Sequence, residues 1–476
     1  METIFGGCDF ARPRTLHLLD RKITAINAFL TFCETGVIPE YPIEVFLELS
    51  NVCNMKCVMC PTFSGINIHR HRTLKVEERG FFETESAQKF LGQLLERSLV
   101  VHAFGYGEPT IHPEFIRFME ELRKYEVMID FITNGMRLDE THCQFLVEQS
   151  IYKVSISFSG ASAEEYENVY LGGDFDKIVK GIRRLDQIKR TQGRSFPIIE
   201  INSIGFEHHM NKLVDFVELM GSCGVNVIHV KPLNVYRTTT ELLSHAAVCR
   251  PEVEGEVIRK ASQRAKELGI IFCAEPFQRT TASTVNDVET QRSLRLVGGA
   301  LPADQIESRV DIKGMRDYSK SKKALPPLPE GERLPNPTLL DVNEEEAARR
   351  IKIETPSRRP KYRCFEPYKT MYIRKDGNVK PCCFSDNLLY YGNVRRHSHK
   401  EIWTGPGYGA AQRSMPEGRY PMGSCHHCIE QEMMPSDHVV DRTAREYQRW
   451  HQNAFRHQDE IFAPEIFERF QKCRNE

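Results

Sequence analysis

The chain has no apolar run long enough to cross a membrane. Its longest runs, such as Leu99 to Phe104 and Ile198 to Ile201, are short and interrupted by polar residues, so an integral helical membrane protein is excluded. Met1-Glu2 opens without a basic or apolar leader, and no signal peptide is expected. Charge of one sign is also missing. The formal net charge is −1 and no long basic run occurs, which speaks against a nucleic-acid partner. The 15 cysteines are odd in number and grouped at metal-type spacings. A disulfide scaffold is disfavoured, and a reducing, cytoplasmic setting is expected. With 476 residues, of which 40% are hydrophobic and 27% charged, two or three domains with a real core are expected.

What is present is a knot of thiols, Cys53, Cys57 and Cys60, at spacing C-x3-C-x2-C. Ile43 to Leu49 before it reads as a strand, and Pro61 and Gly65 follow, so the thiols lie on a loop leaving a strand end. Three thiolates on one loop can hold three corners of a [4Fe–4S] cluster and leave the fourth iron to a non-protein ligand. A zinc site would require a fourth nearby Cys or His.

From 43 to 275 strand and helix signals alternate. Strands are expected at 43–49, 100–104, 127–132, 153–158, 198–204 and 226–231. Helices are expected at 84–97, 113–124, 138–149, 174–190, 209–221 and 251–267. Six β/α repeats imply an α/β fold with a parallel sheet and outer helices, and sites at the strand ends. Residues 1–42 read as a helical extension whose Cys8 and Cys33 are structural thiols. Residues 276–360 hold Leu325-Pro326-Pro327-Leu328-Pro329 and Leu334-Pro335-Asn336-Pro337 between charged stretches, and read as an insertion or linker. From 361 to 435 the cysteines return around Asp376-Gly377, a hairpin turn signal. Cys364, Cys382, Cys425 and Cys428 can close an all-thiolate shell for iron–sulfur or zinc, with Cys383 the alternative to Cys382. His426 and His427 read as exposed, and 436–476 as a helical tail.

The thiol loop at the first strand end resembles the signature of the radical S-adenosylmethionine (SAM) family. Met59 stands where that family usually carries an aromatic residue. The resemblance implies a partial (β/α)6 barrel, SAM bound to the open iron of a [4Fe–4S] cluster, and reductive cleavage of SAM to a 5′-deoxyadenosyl radical. Gly105-Tyr106-Gly107-Glu108-Pro109, after the second strand, looks like the family's Gly-Gly-Glu-Pro motif, with Gly105 one place early. It implies that Gly107 and Glu108 bind the SAM amino group. Ser155 to Gly160 resembles the segment near the SAM ribose, with Ser157 matching and Ser159 standing where Asp is common. Asn134 of Thr133-Asn134-Gly135 and Asn202 complete the expected SAM contacts, with a plain turn or strand end as the alternative at each. The spacing of the C-terminal cysteines resembles the SPASM or twitch module, which implies an auxiliary [4Fe–4S] cluster on Cys364, Cys382, Cys425 and Cys428.

The domain plan is similar to single-auxiliary-cluster dehydrogenases. It implies oxidation or other modification of a small natural-product or sugar-like molecule, with the auxiliary cluster as electron acceptor and flavodoxin or ferredoxin as external donor. A peptide-modifying enzyme of the same plan is the alternative, and a non-catalytic iron–sulfur carrier or assembly protein is the reading from another class. A carrier has no need for SAM-shaped polar groups at several strand ends. Alcohol oxidation would require a general base. His229, Lys231, Glu366 and Tyr368 are the candidates, none singled out, so the catalytic residues stay unassigned.

Overall fold

The computed structural model describes residues 13–60, 62–63, 79–231, 251–274, 338–356, 364–383, 385, 389–422, 425 and 428–429. Pro61, Gly65, Cys8, His426, His427, the proline-rich stretch and the tail lie outside the described residues.

The alternating apolar pattern forms the expected strands: β1 (Glu44–Leu47), β2 (Val100–His102), β3 (Met128–Thr133), β4 (Lys153–Ser157), β5 (Ile198–Ile204) and β6 (Val227–Lys231). Each pairs in parallel with the next. Helices α2 (Thr84–Leu95), α3 (Phe115–Arg123), α4 (Glu140–Glu148), α6 (Phe175–Thr191) and α8 (Leu213–Ser222) fill the crossovers, with short α5 (Ala163–Glu167) and α7 (Glu207–Met210) ahead of α6 and α8. Asp139 and Asp174 cap α4 and α6 by accepting from backbone N–H groups three residues on, which fixes where those helices start.

Side chains alternate across each strand. Val45 and Leu47, Val101, Ile129 and Phe131, Val154 and Ile156, Ile199 and Ile201, and Ile228 and Val230 join the helix faces in one apolar core. The intervening positions, among them Glu44, His102, Asp130, Ser155, Glu200 and Asn202, share the opposite face, the barrel lumen. Amphipathic strands of a parallel barrel thus give a dry outer layer and a polar interior.

Two additions to the six-strand plan appear. Strand β7 (Ile271–Ala274) pairs with β6 after the helix Pro251–Glu267, and Ile271 is 57% exposed. Its four-residue run is too short to announce itself. On the other side the C-terminal hairpin, β9 (Thr370–Ile373) and β10 (Asn378–Lys380), turns at Asp376-Gly377 as expected. Gly377 has φ +83° there, a conformation that favours glycine. Strand β9 pairs in parallel with β1, Glu44 opposite Thr370. One sheet of ten strands therefore runs β11-β10-β9-β1-β2-β3-β4-β5-β6-β7, with β11 (Gly392–Asn393) at its end. The two cysteine groups belong to a single sheet.

Helix α1 (Pro13–Thr35) packs Ile26, Phe29, Leu30 and Phe32 against Val100, Met128 and Tyr152 at the lower strand ends, and against Phe365 and Tyr368. Phe32 stacks on Tyr368 at 4.2 Å. Lys22, fully buried, donates to the Leu95 and Ser98 carbonyls at 3.0 and 2.6 Å, where α2 ends. Residues 338–356, which the proline pattern places in a connecting segment, form the helix Glu344–Arg350 and the strand β8 (Ile353–Glu354). That strand pairs with β12 (Tyr420–Pro421), and Ala347 and Ile351 are buried, so burial of apolar side chains holds this stretch against the C-terminal unit. No helix among the described residues is long and apolar enough to cross a membrane.

Candidate active site

The thiol loop leaves β1 and is clamped from the α5–α6 connection. The Lys56 N–H donates to the Leu171 carbonyl and the Val58 N–H to the Val169 carbonyl, both at 2.9 Å. The Cys53 sulfur accepts from the Met55 N–H at 3.4 Å, and the Cys60 sulfur from the Thr62 and Phe63 N–H groups at 3.4 and 3.3 Å. These backbone donors favour the thiolate form. Burial opposes it and dominates. Burial, and then the charge of Glu108, push the Cys53 thiol well up, and burial with Cys53 and Cys60 does the same to Cys57. A pocket that gathers three thiols yet disfavours three bare thiolates suits a cationic metal group, which deprotonates coordinating thiols outright.

Gly107 docks the second strand end onto this loop. Its N–H donates to the Ser50 carbonyl at 3.0 Å, and the Glu108 N–H to the Val52 carbonyl at 2.8 Å. A Cβ on Gly107 would lie 2.3 Å from the Val52 oxygen. Only glycine permits that approach. Gly105 serves a different neighbour: a Cβ there would lie 2.3 Å from Cγ of Glu48. The place of Gly105, one residue earlier than in the motif it resembles, therefore has a steric cause in this chain. Tyr106, between the glycines, turns its ring to the Lys380 ammonium at 5.4 Å and so touches the C-terminal hairpin.

Glu108 is 3% exposed. Its Oε1 accepts from the Thr110 N–H at 3.0 Å, the Thr110 hydroxyl at 2.5 Å and the Thr133 hydroxyl at 2.7 Å. Its Oε2 accepts from the Asn134 N–H at 2.7 Å. Burial raises its pKa, and these donors, first the Thr110 hydroxyl, oppose the rise. Each carboxylate oxygen has about two acceptor sites; three donors share Oε1, whereas Oε2 takes one and keeps a site for a further donor. Asn134 donates from Nδ2 to the Asn54 side chain at 2.8 Å, and to the Cys53 sulfur at 4.0 Å. Gly135, at φ +77°, makes the turn that aims it there. Cys53, Gly107, Glu108 and Asn134 thus form one cluster. Ser157 lies opposite Asn202, and Asn202 opposite His229, in a row across β4, β5 and β6. Lys231 follows His229 on the same face, opposite Ile204.

Below that row the lumen holds an alternating line of charge. Lys369, ahead of β9, donates to Glu44 at 2.5 Å, and Glu44 lies 3.5 Å from His102 Nε2. His102 Nδ1 meets Asp130 at 2.6 Å. Lys153 approaches Asp130 at 3.7 Å and Glu200 at 3.5 Å. Burial alone would lower the His102 pKa, yet Asp130 and then Glu44 outweigh it and raise it to about 9. Nothing in the sequence order announces this line; it exists because period-2 lumen positions of five strands meet, with Lys369 added from ahead of β9.

The C-terminal thiols gather beside the β9–β10 hairpin, next to β1 in the sheet. Cys382 is among the charges that act on Cys364 and on Cys425, and Cys428 acts on both. Cys383 is among the charges that act on Tyr372 of β9. Cys382 thus lies within electrostatic reach of Cys364 and Cys425, and Cys383 within reach of the barrel side of the hairpin. Burial comes first among the causes that raise Cys364 and Cys425, as at the first site. Among the described residues no three His, Cys, Asp or Glu side chains close into a cage for a single metal ion. Of the base candidates, Tyr368 is buried and its hydroxyl donates to the Gln412 carbonyl at 2.8 Å, which gives it a packing role. Glu366 lies beside the Cys364 thiol, while His229 and Lys231 face the lumen. The sequence offered no sign of Glu48, a buried carboxyl that accepts from the Tyr372 hydroxyl at 3.3 Å.

Residues 47–213 match the radical SAM superfamily, and residues 364–429 match the SPASM family, described as an iron–sulfur cluster-binding domain. The mycofactocin maturase MftC of Mycobacterium ulcerans (strain Agy99) is 26% identical over 204 residues, 43% of this chain and 50% of that protein. A GTP 3′,8-cyclase of Peptoclostridium acidaminophilum is 25% identical over 203 residues, 42% of this chain and 57% of that protein. The chain thus spans about half the length of these curated relatives. The crystal structure of Streptococcus suis SuiB bound to S-adenosylmethionine shares the fold, with a TM-score of 0.50 and 14% identity, over 83% of this chain and 74% of that one. SuiB bound to precursor peptide SuiA gives the same score and identity over 84% and 74%.

Proposed function

We propose that this chain, a radical SAM protein with a C-terminal SPASM domain, modifies a peptide. The radical SAM domain binds a [4Fe–4S] cluster and SAM, and the SPASM domain implies auxiliary iron–sulfur. The observation that carries the peptide reading is the similarity to a maturase over 204 residues, 43% of the chain. The match to a structure solved with a precursor peptide adds the same fold over most of its length. The expectation of a small natural-product substrate has less support, since the maturase relatives favour the peptide alternative over it.

In this reading Cys53, Cys57 and Cys60 hold the first cluster, and Cys364, Cys382, Cys425 and Cys428 the second. When bound, the first cluster supplies the electron that splits SAM and so generates a radical able to take hydrogen from an unactivated C–H bond. The protein's part is placement. Glu108 offers its remaining Oε2 site to the SAM ammonium, a charge-assisted contact. Asn134 fixes the Glu108 carboxylate through its N–H and the thiol loop through its side chain. Ser157 and Asn202 present neighbouring polar groups on the lumen face. The apolar helix layer and α1 close the back and floor of the barrel, which shields a reactive radical from water.

The test is anaerobic reconstitution with SAM, a reductant and cell extract, followed by mass spectrometry. Substrate-dependent 5′-deoxyadenosine release should vanish when the extract is first digested with protease, and a peptide of changed mass should appear in the undigested sample. Release that survives digestion and follows the small-molecule fraction would return the account to a small substrate.

A further inference from the structure

Two tyrosine hydroxyls are buried without a hydrogen-bond partner among the described residues, Tyr166 and Tyr391. Tyr166 follows β4 and meets the thiol loop, since its hydroxyl and the Met55 side chain both close on Gly173, and Tyr391 adjoins β11, within reach of the C-terminal thiols. Tyr166, on α5, stacks between Phe158 at 4.6 Å and Tyr170 at 4.7 Å. After burial and Tyr170, the charge of Cys57 is the next cause that lifts its phenol pKa. Tyr391 has the same surroundings at the second group: after burial, Cys425 and then Cys382 raise it. Its neighbour Tyr408, 5.1 Å away ring to ring, donates to the Thr370 and Lys380 carbonyls. A phenol in this pocket can therefore be satisfied by the backbone, and Tyr391 is not.

Tyr170 extends the pattern by an argument of direction. His209 is fully buried, which holds it neutral, and its Nδ1 accepts from the Gly160 N–H at 3.0 Å. The ring proton is then on Nε2 and points at the Ser203 hydroxyl, 2.7 Å away. Ser203 donates to Ser159 at 3.2 Å, and Ser159 also accepts from the Ile204 N–H. The one proton of Ser159 goes to the Tyr170 oxygen at 3.0 Å. Tyr170 receives a hydrogen bond and keeps its own O–H to give. The charge of Cys57 acts on this phenol as well.

A buried hydroxyl left without an acceptor costs on the order of 1–3 kcal/mol. Sulfur-rich clusters present such acceptors, and hydrogen bonds to their sulfurs are one of the protein's controls on reduction potential. We propose that Tyr166, with Tyr170 beside it, and Tyr391 each donate an O–H to the sulfurs of the adjoining iron–sulfur cluster and set its potential. The reduced cluster carries more negative charge than the oxidised one. A donor to its sulfurs therefore stabilises the reduced form more and raises the potential. The inference rests on the ligand assignment above and not on the nature of the substrate.

The experiment is an EPR-monitored redox titration of the reconstituted full chain without SAM, comparing wild type with Tyr166→Phe and Tyr391→Phe. Phenylalanine keeps the ring and its stacking and removes only the donor. Tyr166→Phe should move the midpoint of the first cluster to more negative potential and leave the second in place, and Tyr391→Phe should do the reverse. Pulsed EPR in H2O and D2O should find at each reduced cluster an exchangeable proton coupling that the matching Phe variant lacks, beside those of the N–H donors to the thiol sulfurs. Midpoints equal to those of wild type in variants with full iron would overturn the proposal. So would exchangeable couplings equal in wild type and variant, or their absence in wild type, a result that needs no variant to fold. Wild-type iron well below about eight per chain, from two four-iron clusters, would instead overturn the ligand assignment beneath it.

Discussion

Gly105 lies flat over Glu48, so close that a Cβ at position 105 would sit 2.3 Å from Cγ and 2.7 Å from Cβ of that buried carboxyl. Glu48 ends the first strand's lumen row, and Gly105 opens the turn that carries Gly107 and Glu108 to the thiol loop. Gly105→Ala should cost about 1–3 kcal/mol of stability through overpacking, read as a lower midpoint of chemical unfolding, with iron retained. Gly107→Ala meets backbone atoms on the thiol loop itself, the Val52 oxygen at 2.3 Å and the Ser50 oxygen at 2.6 Å. It should empty the first cluster site selectively, leaving about four irons per chain. Equal iron in both variants would contradict this division of roles.

Glu108→Gln turns one acceptor into a donor, either against the Asn134 N–H or against the three donors at Oε1. It also removes the charge offered to the SAM ammonium, a contact worth about 1.5–3 kcal/mol. SAM affinity, measured anaerobically by calorimetry, should fall about ten- to a hundredfold with iron unchanged. Undiminished affinity would take Glu108 out of the SAM site.

His102 should titrate near pH 9 by NMR, because Asp130 and Glu44 hold its proton against the burial that would remove it. Its folded pKa lies above the ordinary 6.5, so its contribution to stability is full below pH 6.5 and is lost as pH rises through about 9. The stability difference between wild type and Asp130→Asn should therefore be largest below pH 6.5, of the order of 3 kcal/mol from the size of the shift, and shrink towards pH 9. A difference that does not change with pH would contradict a charged His102.

Changing Cys425 and Cys428 to Ala should halve the iron from about eight to about four per chain while the first cluster remains. Metal analysis reads the result directly. One zinc per chain in the wild type, with only four irons, would replace the second cluster with a structural ion. Loss of either cluster should also lower stability, since metal-binding energy is folding energy.

Much of the barrel was legible because each parallel strand carries an apolar core face and the crossover helices start at caps such as Asp139 and Asp174. The thiol loop was legible because three cysteines at fixed spacing leave little room for chance. What stayed hidden depends on contacts between distant residues. Strand β7 is four residues long, and its exposed Ile271 breaks the buried pattern. Residues 338–356 follow a proline-rich stretch, and their order comes from burying Ala347 and Ile351. Cys382 and Cys383 follow the end of β10 at Lys380, and as neighbours in a bend they carry no local pattern that tells them apart. Tyr166 and Tyr391 sit in ordinary aromatic surroundings, and only the missing acceptor sets them apart.

If the loop carrying Cys53, Cys57 and Cys60 drives SAM cleavage, 5′-deoxyadenosine quantified from reconstituted protein given SAM and dithionite reports it. Wild type should release 5′-deoxyadenosine, and Cys57→Ala, still carrying the second cluster's roughly four irons, should release none above the protein-free background. Equal release from the two proteins would contradict the account.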